Sequence, residues 1–130
     1  MAAESYPDDL LYHPEHDWAR IEGGEAIMGI TWYAQDTLGE LVHYEPPAVG
    51  AQIVKDEPYG EVESVKAVSD VVAPLSGEVI AINVDVVDSP EQVNDEPYGA
   101  GWLVRIRMSN PTETGSLLDA AAYKALLADL

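Results

Sequence analysis

The chain has 130 residues, and its 24 acidic side chains against 6 basic ones give a formal net charge of −18 at pH 7. This length predicts a single domain, and so anionic a surface is unfavourable for binding the phosphates of nucleic acids or of anionic membranes. Cysteine is absent from the sequence, which excludes disulfides and thiolate catalysis by the protein's own side chains.

Several strands and one short helix are predicted in the first half. Residues 1–15 are polar, and we expect them to wrap the surface. Extended segments are predicted over 18–21, 26–30, 41–45 and 50–55. The glycines within 22–25 favour a hairpin turn between the first two segments. Thr31 is a suitable cap for a helix that continues to about Leu38, and Gly39 is a suitable end for it.

The second half alternates strands with helix starts. Strands are predicted over 78–86, where Ile80, Ile82 and Val84 would share one face, and over 102–108. Helix starts are predicted at Ser89-Pro90, Asn110-Pro111 and Asp119. We expect the last helix, over about 119–128, to pack one side made of Ala122, Tyr123, Leu126 and Leu127.

Lys66 is one of three lysines and lies at the centre of a predicted β-hairpin over about 60–72. Valines on both sides favour extended backbone, and residues 74–77 give a turn signal. A lone lysine at a tight bend between short strands is accessible to an enzyme that acylates its ε-amine. Such a lysine is also a good attachment point for a tethered arm. An ordinary solvated lysine is the alternative interpretation.

Two other classes of protein are disfavoured. His13 and His16 lie beside Glu15 and Asp17, which superficially suggests metal ligands, but no second ligand cluster follows and Pro14 interrupts a helical face. We therefore expect no metal site and no independent hydrolase. No segment is long and apolar enough to cross a bilayer, and the N-terminus lacks a signal-peptide pattern, so we expect a cytoplasmic protein without a membrane partner.

The lysine segment, Gly60 to Asp70 followed by Ala73 to Val79, resembles the lipoyl-lysine segment of the glycine cleavage H-protein family. Further matches in order along the chain are His16-Asp17-Trp18, Gly29-Ile30-Thr31, Leu38-Gly39-Glu40, Val93-Asn94, Pro97-Tyr98-Gly99, Gly101-Trp102 and Leu117 to Ala120. The resemblance implies one domain over 1–130 with a mainly β fold. That fold is a lipoyl/biotinyl-type barrel-sandwich hybrid with short helices and a C-terminal helical segment over about 111–130.

The resemblance implies a non-catalytic carrier with lipoic acid amide-linked to Lys66. A lipoate ligase or lipoyltransferase would attach the group, with Glu63 and Asp70 as recognition charges. The swinging arm would then carry an aminomethyl intermediate among glycine decarboxylase, aminomethyltransferase and dihydrolipoyl dehydrogenase. Biotin carriers, which share the fold, typically have methionine on both sides of the lysine, whereas this chain has Val65 and Ala67.

In this family the loaded arm can fold back into a surface cleft. The resemblance implies that the cleft region includes Asp17, Ile30, Trp32, Leu38 and His43, with Asp70 at its border. Trp32 and His43 depart from the family pattern. They leave open an H-like lipoate-binding protein that carries sulfur intermediates for a heterodisulfide-reductase-like complex in sulfur oxidation. The core motifs favour glycine cleavage.

Overall fold

The computed structural model describes residues 2–130, which form nine strands, four α-helices and one 3-10 helix. The strands are β1 (Leu11–His13), β2 (Asp17–Glu22), β3 (Glu25–Ile30), β4 (Leu41–Glu45), β5 (Gln52–Ile53), β6 (Pro58–Ser64), β7 (Val68–Val72), β8 (Gly77–Ile82) and β9 (Val104–Met108). The α-helices are α1 (Trp32–Leu38), α2 (Val84–Asp88), α3 (Gln92–Asp95) and α4 (Ala120–Ala128), and the 3-10 helix covers Pro111–Ser116.

The strands build two antiparallel sheets. The larger sheet has six strands in the order β1-β2-β3-β9-β8-β5, and the smaller has three in the order β4-β6-β7. Buried residues from both sheets, among them Met28, Leu41, Val62 and Ile106, belong to one core cluster. The predicted mainly β fold with short helices is confirmed, although within residues 2–130 the two sheets do not close into a barrel.

The first hairpin forms as predicted. Gly23 in its turn has φ +62°, a conformation that glycine adopts without steric cost. Gly29 of β3 pairs with Trp18 of β2, and a Cβ added at Gly29 would lie 2.8 Å from Trp18 Nε1. The bare glycine therefore makes room for the fully buried indole ring.

The N-terminal segment is more ordered than expected. It was predicted to wrap the surface, but Leu11–His13 pairs with β2 as an edge strand. The ring of Tyr12 stacks on Tyr123 of α4 with centroids 4.7 Å apart, and Leu10 is buried beside them. These side chains belong to a second core cluster, which packs α4 against the edge of the large sheet. Apolar burial outweighs the weak extended propensity of this short segment.

The strand predicted over 78–86 is too long. It ends at Ile82, because the Asn83 side chain accepts a hydrogen bond from the amide of Asp85 (3.2 Å) and caps α2. The side-chain nitrogen of Asn83, Nδ2, donates to the carbonyl oxygens of Ala100 and Trp102. Val84 consequently lies in a helix and is 60% exposed. The prediction that it shares a strand face with Ile80 and Ile82 is therefore wrong.

The C-terminal helices begin close to the predicted positions. Asp119 accepts a hydrogen bond from the Ala122 amide (2.8 Å) and caps α4. The face that α4 buries carries Ala120 and Tyr123, whereas Ala122, which was expected to be packed, is exposed. The predicted last strand is also shorter than expected and begins at Val104.

Candidate functional site

The lysine hairpin is formed by β6 and β7 and presents Lys66 at its outermost bend. The Ser64 amide donates to the Ala67 carbonyl (2.8 Å), and the Ser64 hydroxyl oxygen accepts from the amides of Lys66 (3.3 Å) and Ala67 (3.1 Å). Ser64 is 4% exposed, whereas neighbouring Val65 is 77% exposed. A buried serine thus fixes the backbone of the turn while the lysine stays accessible.

The small sheet has an acidic outer face beside this turn. Alternation along its strands buries Tyr44 and Val62 and exposes the residues that we call the outer face: His43, Glu45, Glu61, Glu63, Val68 and Asp70. In the strand register Glu63 lies opposite Val68, and Glu61 lies opposite Asp70. Glu63 and Asp70, the two acids expected to bracket the lysine, therefore share one exposed surface.

A surface cleft of about 150 Å³ opens near the lysine turn. Its lining comes from the turn after β1, from one face of α1 and from β7: Glu15, His16, Tyr33, Ala34, Thr37, Leu38 and Ser69. A Cβ added at Gly39 would lie 3.6 Å from Lys66 Cε, so the lysine side chain passes over the glycine that follows Leu38. The lysine side chain therefore lies next to the residue that follows Leu38, a lining residue of the cleft.

His16 forms part of the cleft wall and is held in an uncommon backbone conformation. Its φ is +74°, in the left-handed region that costs non-glycine residues energy and is often found at functional sites. Its Nδ1 lies 2.8 Å from the Tyr123 hydroxyl, which also lies 2.9 Å from Thr31 Oγ1, the helix cap of α1. Burial lowers the pKa of His16, which favours the neutral imidazole.

Asp17 lies behind the cleft wall and does not line the cleft. Its residue is 2% exposed, it pairs with Ile30 across β2 and β3, and its Oδ2 has no hydrogen-bond partner. Burial raises the pKa of Asp17 well above its ordinary range, with a smaller contribution from the charge of Glu15, while a hydrogen bond from the Val72 backbone opposes the shift. The carboxyl group is therefore favoured in its neutral form.

The other residues expected at the cleft are dispersed. Leu38 lines it, whereas Ile30 is packed in the core and His43 lies on the outer face with its Nε2 3.1 Å from Glu45 Oε2. Trp32 donates its indole N–H to the carbonyl of Ala2 (2.9 Å) and so anchors the N-terminal segment. Neither Trp32 nor His43, the two residues that depart from the family pattern, lines the cleft.

Sequence reasoning missed most of the cleft lining. The α1 contribution comes from two pairs spaced four residues apart, Tyr33 with Thr37 and Ala34 with Leu38, which lie on one helix face. That spacing was available in the sequence once Thr31 had been identified as a cap. Glu15 and Ser69 come from separate segments, and no local pattern connects them.

Within residues 2–130 no group of three or more His, Asp or Glu side chains is arranged to hold a metal ion. None of the helices in that range has the length and apolar character needed to cross a bilayer.

Comparisons with known proteins agree on one family. The family model described as glycine cleavage H-protein matches residues 10–130. A glycine cleavage system H protein of Symbiobacterium thermophilum is 51% identical over 119 residues, covering 92% of this chain and 93% of that protein. One from Halorhodospira halophila is 51% identical over 124 residues and covers 95% of each. The crystal structure of a glycine cleavage system H protein from Mycobacterium marinum superposes with a TM-score of 0.87 at 38% identity, covering 94% of this chain and 98% of that chain.

Proposed function

We propose that this chain, which belongs to the glycine cleavage H-protein family, carries lipoate in amide linkage on Lys66 and acts as a swinging-arm carrier. The observation that carries the proposal is the placement of Lys66 at an exposed bend whose backbone is fixed by buried Ser64. A modifying enzyme meets the backbone of this turn in one geometry, because the supporting hydrogen bonds and the β-branched neighbours restrict it.

The residues around Lys66 fit a lipoyl group. The lysine side chain passes over Gly39 beside the cleft, and a cavity of roughly 150 Å³ is large enough for a benzene-sized group. The five-membered dithiolane ring is comparably compact. The aliphatic and aromatic side chains of Ala34, Leu38 and Tyr33 supply apolar contacts.

Lipoate, when bound, supplies a disulfide that can accept and release a carried group, and the cysteine-free chain has no such chemistry of its own. The protein is then a non-catalytic component that tethers the group and offers docking surfaces. Tethering raises the effective concentration of the carried intermediate at each partner. The proposed partners are glycine decarboxylase, aminomethyltransferase and dihydrolipoyl dehydrogenase, in the cytoplasm.

We also propose that the outer face is the surface that the lipoate ligase or lipoyltransferase recognises. Glu63 and Asp70 lie on it in register with Val68 and Glu61, directly beside the lysine turn. A strongly acidic patch next to the target amine favours an enzyme with a basic docking surface. The sulfur-carrying alternative, with a heterodisulfide-reductase-like complex, gains no support from the comparisons.

Lipoylation with a purified lipoate ligase tests the proposed site. We expect intact mass to increase by one lipoyl group, peptide mass to place it on Lys66, and Lys66→Arg to abolish it while the circular dichroism spectrum stays unchanged. Lys124→Arg, on an exposed position of α4, is the matched control and should be modified normally. A lipoyl group that persists in Lys66→Arg would show that the assignment is wrong.

A further inference from the structure

We infer that Asn94 is a positioning residue for the acylation of Lys66, because from α3 it holds the two backbone segments that support the lysine. This inference deepens the proposed function and rests on it, since the reaction concerned is the attachment of lipoate to Lys66. The geometry that carries it is a set of hydrogen bonds from one buried side chain to Gly39 and Leu41.

Asn94 is 2% exposed and uses both ends of its side-chain amide. Its Nδ2 donates to the Gly39 carbonyl (2.9 Å) and to Gln35 Oε1 (2.9 Å), and its Oδ1 accepts from the Leu41 amide (2.9 Å). The side chain thus supplies two donors and one acceptor, the full set that an asparagine amide offers on these sides. Because a buried polar group is costly to leave unpaired, these bonds fix the connection between α1 and β4.

The first supported segment lies beside the lysine side chain. Gly39 ends α1 with φ +85°, and its amide donates to the Gln35 carbonyl (2.9 Å). A Cβ added at Gly39 would lie 3.6 Å from Lys66 Cε, so the aliphatic stem of the lysine lies next to a bare Cα. The stem therefore rests against backbone that Asn94 holds through the glycine carbonyl, while Lys66 as a whole stays exposed.

The second supported segment lies opposite the base of the lysine turn. Leu41 is the first residue of β4 and pairs in the strand register with Ser64, whose hydroxyl oxygen accepts from the Lys66 amide (3.3 Å). Asn94 thus reaches the lysine by two routes, through Gly39 to the side chain and through Leu41 to the turn. A lysine held at both places loses less rotamer freedom when its amine reaches the reactive geometry.

Asn83 offers a matched control in the same protein. It is 5% exposed, its Nδ2 donates to the carbonyls of Ala100 (2.8 Å) and Trp102 (2.7 Å), and its Oδ1 accepts from the Asp85 amide (3.2 Å). None of these bonds reaches the lysine hairpin or the end of α1. Asn83→Ala and Asn94→Ala therefore remove the same buried side chain with a similar set of hydrogen bonds, and a difference between them reports positioning.

Two measurements on the full chain test the inference. A nuclear Overhauser effect between the Gly39 Hα and Lys66 Hε protons reports the contact in unmodified protein. Initial rates with a purified lipoate ligase, at varied concentrations of the carrier protein, give kcat and KM for lipoylation. We expect the Overhauser effect in wild type and in Asn83→Ala, and its loss in Asn94→Ala.

The kinetic expectation separates the two asparagines. In Asn94→Ala kcat should fall about fivefold, a part of the rotamer freedom that a fixed lysine loses. KM should stay close to wild type because the acidic outer face is unaltered. Asn83→Ala should match wild type in both constants. Asn94→Leu, which keeps the volume and removes the hydrogen bonds, should behave as Asn94→Ala does and takes its place where circular dichroism shows that Asn94→Ala does not fold.

Three results would overturn the inference. They are the absence of the Overhauser effect in wild type, its persistence with wild-type kcat in the folded Asn94 variants, and an equal loss of kcat in Asn83→Ala, which would reduce the effect to general destabilisation. Wild-type protein that shows the Overhauser effect but never gains a lipoyl group at Lys66 would instead refute the proposed function.

Discussion

At Asp17 the cost of burying a charge decides the ionisation state. The carboxyl group sits at the start of β2 with one oxygen unpaired, and the Tyr59 hydroxyl is also buried without a partner. Burial raises the pKa of Asp17, whereas the pKa of an aspartate in the unfolded chain is about 3.9. Because the folded state binds the proton more tightly, the stability contribution of Asp17 is fully present below the unfolded pKa and is lost as pH rises through the folded pKa.

The free energy of unfolding of Asp17→Asn should therefore increase relative to that of wild type as pH rises above about 4. Asparagine cannot ionise, and its side-chain oxygen can still accept the hydrogen bond from the Val72 backbone. The measurement is the free energy of unfolding by urea for both proteins across this pH range. Asp36→Asn, at an exposed site, is the control and should show no such trend. A stability difference between Asp17→Asn and wild type that stays constant with pH would contradict the account.

Among the elements, those with strong local signals were predictable and those set by tertiary contacts were not. Valine-rich segments on both sides of Lys66 and the Thr31 and Asp119 caps predicted the lysine hairpin, α1 and α4. The edge strand Leu11–His13 escaped prediction because aromatic stacking on α4, rather than local propensity, holds it. The end of β8 was missed because the capping role of Asn83 depends partly on carbonyls that lie 17 and 19 residues further along the chain.

The candidate site also has one part that the sequence predicts and one part that depends on tertiary contacts. Lys66 and its flanking acids follow from one continuous segment, so sequence sufficed to place them together. The cleft is assembled from Glu15, one face of α1 and Ser69, which only the packing of the two sheets brings together. Asp17 shows the remaining difficulty, since a sequence pattern does not reveal whether an acid beside a cleft faces the solvent or the core.

The lysine hairpin should depend on the Ser64 hydroxyl. Ser64→Ala leaves two turn amides without their acceptor, and we expect a loss of about 1 kcal/mol, a typical net value for a hydrogen bond. Because the turn also loses its fixed geometry, the rate of lipoylation should fall. Urea unfolding and the initial rate with a lipoate ligase measure the two effects.

Ser109→Ala, at an exposed position outside the hairpin, is the control for the serine substitution and should change neither quantity. Unaltered lipoylation in Ser64→Ala, combined with wild-type stability, would show that the hydroxyl does not shape the turn.

For the whole molecule the dominant feature is excess negative charge. Arg105 already contacts Glu22 and Glu25, Arg107 contacts Glu78, and Lys55 contacts Asp56. On the outer face Glu61 lies directly opposite Asp70, a like-charge pair that destabilises a sheet. Self-repulsion therefore opposes the compact state.

Added salt should stabilise the fold. Raising ionic strength from about 0.01 M to about 0.1 M shortens the screening length from about 30 Å to about 10 Å, and a gain of about 1 kcal/mol would raise Tm by about 4 °C. Scanning calorimetry in sodium chloride measures this. Glu61→Gln should show a smaller salt gain than wild type, whereas a Tm that falls or stays level with salt would contradict the expectation.

The central claim is that Lys66 carries the working arm of a glycine cleavage carrier. The most direct test is glycine–bicarbonate carbon exchange with a glycine decarboxylase, using protein whose lipoylation on Lys66 is established by mass. The account predicts robust exchange with the lipoylated protein and none with Lys66→Arg. No exchange from a folded, lipoylated protein would contradict it.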